Sequence, residues 1–197
     1  MTQNIDKLDL KNSFYFVRHG DADYPQNPNP HDEYDVSLTN LGRRQAQYIQ
    51  PIIEKLSIKT ICVSPLRRAI ETNSIIAKNL STQIIIIEEL RECPGAVWQN
   101  MIELDQNPNI MCNKVKQFME RVIHGINMAL SYPGPVLIVA HGGIHWAMAH
   151  YLKVNNHDKK IGNCIPVHFY LSNEFEWEAK HLAHPLAEYF KCIDIVE

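Results

Sequence analysis

Cysteine is sparse in this sequence, and no pairing of the cysteines stands out. Five occur in 197 residues, Cys62, Cys93, Cys112, Cys164 and Cys192, an odd number with no CxxC spacing. Neither a disulfide framework nor a cysteine zinc site is indicated, and a reducing, cytoplasmic compartment is expected. Surplus charge of one sign is missing too: 19 Lys and Arg stand against 22 Asp and Glu, a formal net charge of −3. That excludes the global basic field that draws nucleic acid or anionic lipid, so neither is expected as a partner. No apolar run reaches membrane-spanning length, and the polar opening MTQNIDKLDLKNS lacks the apolar segment of a secretory signal. Repeats and low-complexity tracts are likewise absent. What is present, 45% apolar and 21% charged residues, suits one globular domain over residues 1–197, with residues 1–12 expected as a flexible tail.

Short apolar runs rich in aromatic or β-branched residues at 14–17, 60–63 and 136–140 read as buried strands, and 84–87 as a fourth of similar kind. Helical periodicity lies between them, through Leu41, Ala46, Ile49 and Ile53; through Leu66, Ala69, Ile70 and Ile76; and through Val115, Phe118, Val122 and Ile126. Thr39 is placed to cap the first of these helices, and Pro51 is expected to kink or shorten it near Gln50. A last pair of segments, 167–171 and 177–181, reads as a hairpin closing one edge. Alternating strands and helices with continuously apolar strands predict an α/β fold with a mainly parallel sheet covered on both faces. Residues 93–112 show no clear period and, with the proline-rich stretch at 25–30, are expected as irregular loops walling a site.

Ligands of open α/β sheets sit beyond the carboxyl ends of the strands. There the chain places unusual residues. The first strand ends in Arg18 and His19, the second leads into SPLRRAIET with Arg67 and Arg68, and the third ends in His141, Gly142 and Gly143. Cations crowded in this way repel one another unless an anion joins them, and arginine forks with glycine-flanked backbone N–H groups match phosphate. Within such a cage a neutral imidazole can attack phosphorus, and His19 is the candidate nucleophile. His141 is the candidate donor to the equatorial oxygens. A leaving alkoxide needs a proton, for which Glu92 in LRECPG is the candidate acid.

Five segments in order, VRHG at 17–20, SLTNLGRRQA at 37–46, SPLRRAIET at 64–72, ELRECPG at 89–95 and VAHGG at 139–143, resemble the histidine phosphatase superfamily, the phosphoglycerate mutase-like family. The resemblance implies a three-layer α/β/α sandwich. It also implies that His19 is phosphorylated, that Arg18, Arg68 and His141 with Gly142 form the phosphate pocket, and that Glu92 serves as general acid and base, with no metal and no cofactor. Many members carry a threonine and an asparagine after RHG where this chain has Ala22 and Pro25; Asn27 or Asn29 is the candidate replacement. The long basic insertion of phosphoglycerate mutases is missing, since residues 96–114 contain the single lysine Lys114.

The resulting expectation is a metal-independent phosphomonoesterase acting on a small phosphorylated substrate or a phosphoprotein, its oligomeric state open. A mutase-type phosphotransferase, a phosphohistidine protein phosphatase and a non-catalytic phosphate-binding module are the alternatives. His141 and His145 stand four apart, but one of them belongs to a turn and no HExxH pattern accompanies them, so a zinc reading is set aside. Trp98, Tyr24 and Phe175 are weighed as substrate contacts against simple packing.

Overall fold

The computed structural model describes residues 13–29, 32, 34–107 and 111–183. The tail expected over residues 1–12 and the C-terminal segment beyond Ala183 lie outside them. Six strands, β1 (Phe14–Arg18), β2 (Thr60–Val63), β3 (Gln83–Ile86), β4 (Val136–Ala140), β5 (Pro166–Leu171) and β6 (Trp177–His181), form one sheet in the order β3-β2-β4-β1-β5-β6. The pairs β3/β2, β2/β4 and β4/β1 are parallel, while the β5–β6 hairpin runs antiparallel beside β1.

Side chains alternate across each strand, and the alternation divides the core in two. Phe14, Phe16, Cys62, Ile138 and Ala140 pack beneath α3 (Gly95–Gln106), α4 (Asn113–Leu130) and α5 (Gly142–Tyr151). Val17, Ile61, Val63, Leu137 and Val139 pack beneath α1 (Asn40–Ile53) and α2 (Arg67–Ile76). The result is the expected three-layer α/β/α sandwich with a mostly parallel sheet. Among the described residues, no helix is long and apolar enough to cross a membrane.

Three local expectations need correction. The 84–87 run does form a strand, over Gln83–Ile86, but one face of it is open: Ile84 is 51% and Ile86 58% exposed, while Ile87 is buried and Ile85 packs against the core. The register of Ile84 and Ile86 with Ile61 and Val63 turns them to the α1/α2 side, beyond the reach of those helices at the sheet edge. Pro51 does not stop α1, which Thr39 caps through its side chain and which runs on to Ile53 before a short 3-10 turn at Glu54–Leu56. Pro51 and Gln47, whose carbonyl loses its helical donor to the proline ring, are both exposed, so the helix loses one internal bond at a position open to solvent. Most of 93–112 is not loop at all. Within α3, Val97, Met101 and Leu104 form a buried stripe at helical spacing, each worth about 1.5–3 kcal/mol when fully withdrawn from water.

Register positions the site. Arg18 pairs with Ala140, and Val63 with Val139, so β1, β2 and β4 end nearly level. The residues that follow, His19, Ser64 and His141, emerge side by side.

Candidate active site

His19 is fixed on every side that a backbone can reach. Its N–H donates to the Ala140 carbonyl at 3.0 Å, and Asn163 Nδ2 donates to its own carbonyl at 2.8 Å. Its Nδ1 lies 2.6 Å from the Gly20 carbonyl oxygen. A carbonyl only accepts, so Nδ1 carries the proton and Nε2 presents a lone pair. Arg68 Nε donates to that lone pair at 3.1 Å. With only 1% of its surface exposed, the imidazole is costly to charge; burial first, and then the Arg68 cation, lower its pKa to about 3, with Arg18 adding in the same direction. At neutral pH His19 is an uncharged base.

The glycine after it is required by space. A Cβ on Gly20 would meet the Gly42 carbonyl oxygen at 2.5 Å, so no larger residue lets the β1 turn approach α1. Gly20 N–H donates to Thr72 Oγ1 at 3.0 Å, and Thr72 returns its proton to the Arg68 carbonyl at 2.7 Å. Thr72 thereby ties the β1 turn to the helix that carries Arg68.

Around the imidazole stand buried polar atoms without partners. Arg18 Nη1 donates to the Ile161 carbonyl at 2.7 Å, yet its buried Nε has no partner among the described residues. His141, wholly buried, lies with its ring centroid 5.1 Å from that of His19. Its Nε2 is 2.6 Å from Ser64 Oγ, while its Nδ1 has no partner among the described residues. Burial first, with the neighbouring Arg68 and Arg18 cations acting in the same direction, holds its pKa well below the ordinary histidine value. Buried polar atoms in native proteins are almost always bonded; two orphans beside a neutral imidazole and two arginines mark a place for an anion.

Glu92 approaches from the opposite core layer. Its Oε1 accepts from Cys93 N–H at 3.0 Å and its Oε2 from Gly143 N–H at 3.1 Å. Arg121 staples the backbone behind it, Nη1 donating to the carbonyls of Glu89 at 2.9 Å and Arg91 at 2.7 Å. The carboxylate is therefore held by main chain from both α5 and its own turn.

These groups border a cavity of about 920 Å³. Arg18, Arg68, Glu92 and Gly142 line it, with His19 and His141 behind them. Tyr24, Tyr34 and Trp98 form an aromatic wall, Tyr24 lying with its ring centroid 5.4 Å from the Arg68 guanidinium carbon. Of the residues expected from sequence, the structure thus brings Arg18, His19, Arg68, Glu92, His141 and Gly142 together. Asn27 is not among them: it is exposed and outside the cavity lining, whereas Asn29 lines the cavity and donates to Asp32 Oδ1 at 3.2 Å. Ala22 forms an isolated bridge with Leu38. Phe175 is 83% exposed at the β5–β6 turn, away from the cavity. Arg67 turns outward to Ser37 Oγ at 3.4 Å. Sequence reasoning passed over Ser64 and Thr72, although both belong to SPLRRAIET, and the 160–163 segment, whose Ile161 carbonyl orients Arg18 without any motif to announce it. Among the described residues no group of three or more His, Cys, Asp or Glu is placed to hold a metal ion.

Residues 14–166 match the histidine phosphatase superfamily, branch 1. A protein of Schizosaccharomyces pombe named as a probable phosphatase is 43% identical over 77 residues, which make up 38% of this chain and only 33% of its own. An uncharacterized phosphatase of Bacillus subtilis is 27% identical over 176 residues, 83% of this chain and 90% of that one. In fold, the chain is similar to a phosphoserine phosphatase of Entamoeba histolytica solved with 3-phosphoglyceric acid, with a TM-score of 0.61, 16% identity, and coverage of 87% and 95% of the two chains.

Proposed function

Because the chain belongs to the histidine phosphatase superfamily, we propose that it hydrolyses a phosphomonoester through a phosphohistidine on His19. The observation that carries this reading is the His19 ring: its proton is committed to the Gly20 carbonyl, and its Nε2 lone pair lies under an arginine at 3.1 Å. An entering phosphoryl group replaces that lone pair as the acceptor of the Arg68 donors, and its remaining oxygens meet Arg18 Nε and His141 Nδ1. Nε2 then forms a bond to phosphorus while the ester P–O bond breaks. The leaving oxygen takes a proton from Glu92, which receives it from the monoanionic phosphoester as the substrate binds. Glu92, now ionised, takes a proton from water as that water attacks phosphorus, the N–P bond breaks, and inorganic phosphate and neutral His19 are restored. The Gly20 carbonyl stabilises the Nδ1–H throughout, because the phosphorylated ring is more positive than the free one.

A small phosphorylated molecule is the substrate class that fits, since the cavity volume falls in the range of about 300–1,000 Å³ usual for small-molecule sites. Hydrolysis is favoured over transfer between sugar acids because α3, which borders the cavity, has no Lys or Arg, which leaves Lys160, among the described residues, as the one lining cation outside the proposed phosphate cage of Arg18 and Arg68. A cytoplasmic location belongs to the same reading, supported by the free thiols of Cys62, Cys93, Cys112 and Cys164. The test is chemical trapping: a rapid quench without acid, followed by mass spectrometry, is expected to find one phosphoryl group on His19. A His19→Ala protein that released phosphate from an aryl phosphate at the wild-type rate would overturn the proposal.

A further inference from the structure

The structure assigns Ser64 as the positioning residue that sets the tautomer of His141, so that the imidazole offers a hydrogen-bond donor and not a lone pair to the transferring phosphoryl group. The inference rests on the proposed role of His141 and adds a residue to which no part has been given. Ser64 is wholly buried at the C-terminal end of β2, and its Oγ lies 2.6 Å from His141 Nε2. The contact alone permits two arrangements. In one, Nε2–H donates to the hydroxyl and Nδ1 is a bare lone pair. In the other, the hydroxyl donates to Nε2 and Nδ1 carries the proton.

The neighbours of the hydroxyl decide between them. Leu66 N–H already donates to Ser64 Oγ at 3.3 Å. Were Nε2–H a second donor, the serine proton itself would need an acceptor, and among the described residues His141 Nε2 is the one acceptor found within its reach. With the hydroxyl donating to Nε2, the chain Leu66 N–H to Ser64 O–H to His141 Nε2 is satisfied at each link. The proton left on the ring then sits at Nδ1, the buried atom without a partner. A bare lone pair there would repel phosphoryl oxygens, whereas an N–H meets them. His19 is held in the same Nδ1–H tautomer by a different partner and with the opposite atom offered: the Gly20 carbonyl takes the Nδ1 proton and leaves the Nε2 lone pair free. Two histidines whose ring centroids lie 5.1 Å apart are thus given different tasks by one acceptor and one donor, a backbone carbonyl and a serine hydroxyl.

The experiment reads the tautomer and the kinetics together. In nitrogen-15 NMR spectra of the full chain at pH 7, His141 Nδ1 is expected to give the signal of a protonated, pyrrole-type nitrogen and Nε2 that of an unprotonated one. In Ser64→Ala both signals should move toward the values of a tautomer mixture. With an aryl phosphate, kcat of Ser64→Ala is expected to fall about tenfold or more, as for partial loss of a transition-state donor, with KM changed much less; vanadate inhibition should weaken in parallel with kcat. An unprotonated Nδ1 in the wild-type protein overturns the inference even where Ser64→Ala fails to fold. So does a folded Ser64→Ala protein with wild-type kcat and vanadate affinity. Failure of the wider reading looks different: a His141→Ala protein of full activity removes the role of His141 while leaving the observed tautomer intact.

Discussion

Arg68 donates its Nε proton to His19 Nε2 across 3.1 Å, so the atom proposed to attack phosphorus rests under a cation until an anion draws that donor away. The same arginine is the second cause, after burial, of the lowered His19 pKa. Arg68→Ala is expected to reduce kcat for an aryl phosphate by about 10²–10³-fold, the usual effect of losing a preorganised transition-state donor. Titration of His19 by NMR in the same protein should show a pKa above the parent value of about 3, still below 6.5 because burial remains. An unchanged titration would show that the Arg68 charge is not felt at the ring.

Glu92→Gln separates proton transfer from positioning. The amide oxygen can accept from one of the two N–H groups, Cys93 or Gly143, that now bond the carboxylate, so the turn is largely retained. A slowdown of about 10²–10⁴-fold is expected with an alkyl phosphate, as for loss of a general acid. With an aryl phosphate, whose leaving oxygen needs less protonation, His19 phosphorylation should be impaired far less, and the adduct should accumulate because water activation is also lost. Equal damage with both substrates would argue against an acid role.

Gly143→Ala tests the same carboxylate without touching it. A Cβ at this position would collide with Glu92 Oε1 and stand 3.0 Å from Cys93 Sγ. Glu92 must then leave its seat, and the Gly143 N–H bond breaks with it. The expected result is the kinetic pattern of Glu92→Gln in a protein that binds vanadate as well as the parent does, since Arg18, Arg68 and His141 are not displaced. Loss of vanadate binding would place Gly143 in the phosphate cage instead.

Stability should fall on acidification before the carboxylates titrate. His19 and His145 are buried, with folded-state pKa values of about 3 against 6.5 when exposed. Above pH 6.5 both states are neutral and the folded protein carries no penalty. As pH falls below 6.5 the unfolded chain takes up protons that the folded one refuses, and the loss continues until about pH 3. Each such group contributes a slope of about 1.4 kcal/mol per pH unit within that window. Urea unfolding between pH 7 and pH 4 measures it, and His145→Phe should reduce the proton uptake on unfolding by one. His145 packs on Phe16 and Phe169, so a phenyl ring fills the same space, but it gives up the contacts of Nδ1 with the Lys159 carbonyl at 2.8 Å and of Nε2 with His157 at 3.1 Å; proton uptake, not absolute stability, is therefore the quantity compared.

The chemistry was more legible than some of the architecture around it. Arg18, His19 and His141 stand out because basic side chains at the ends of three apolar strands converge with the other segments, whereas one such pair alone would read as structural. Glu92 was a candidate from the need for an acid near the leaving oxygen, and the family segment then singled it out from Glu88 and Glu89. α3 was hidden because Pro94 and Gly95, which read as loop signals, instead open the helix, with Pro94 just before its first residue. The exposure of Ile84 and Ile86 could not be read at all: a β-branched run looks alike in the middle of a sheet and at its edge, and only strand order tells them apart. Asn27 failed for a related reason, because proximity in sequence to a strand end does not fix which way a proline-bounded loop turns.

The last rung of the β1–β4 pair, Arg18 beside Ala140, is closed by the bond from His19 N–H to the Ala140 carbonyl. It joins two central strands separated in sequence by α1, α2, α3 and α4, so no local fragment of the chain can form it. A molecule in which β1 and β4 are apart therefore has no reactive histidine to display. The amide of His19 should exchange its hydrogen at the rate of global unfolding, and any population that has lost the sandwich, however helical it remains, will be silent in an assay for phosphoryl transfer.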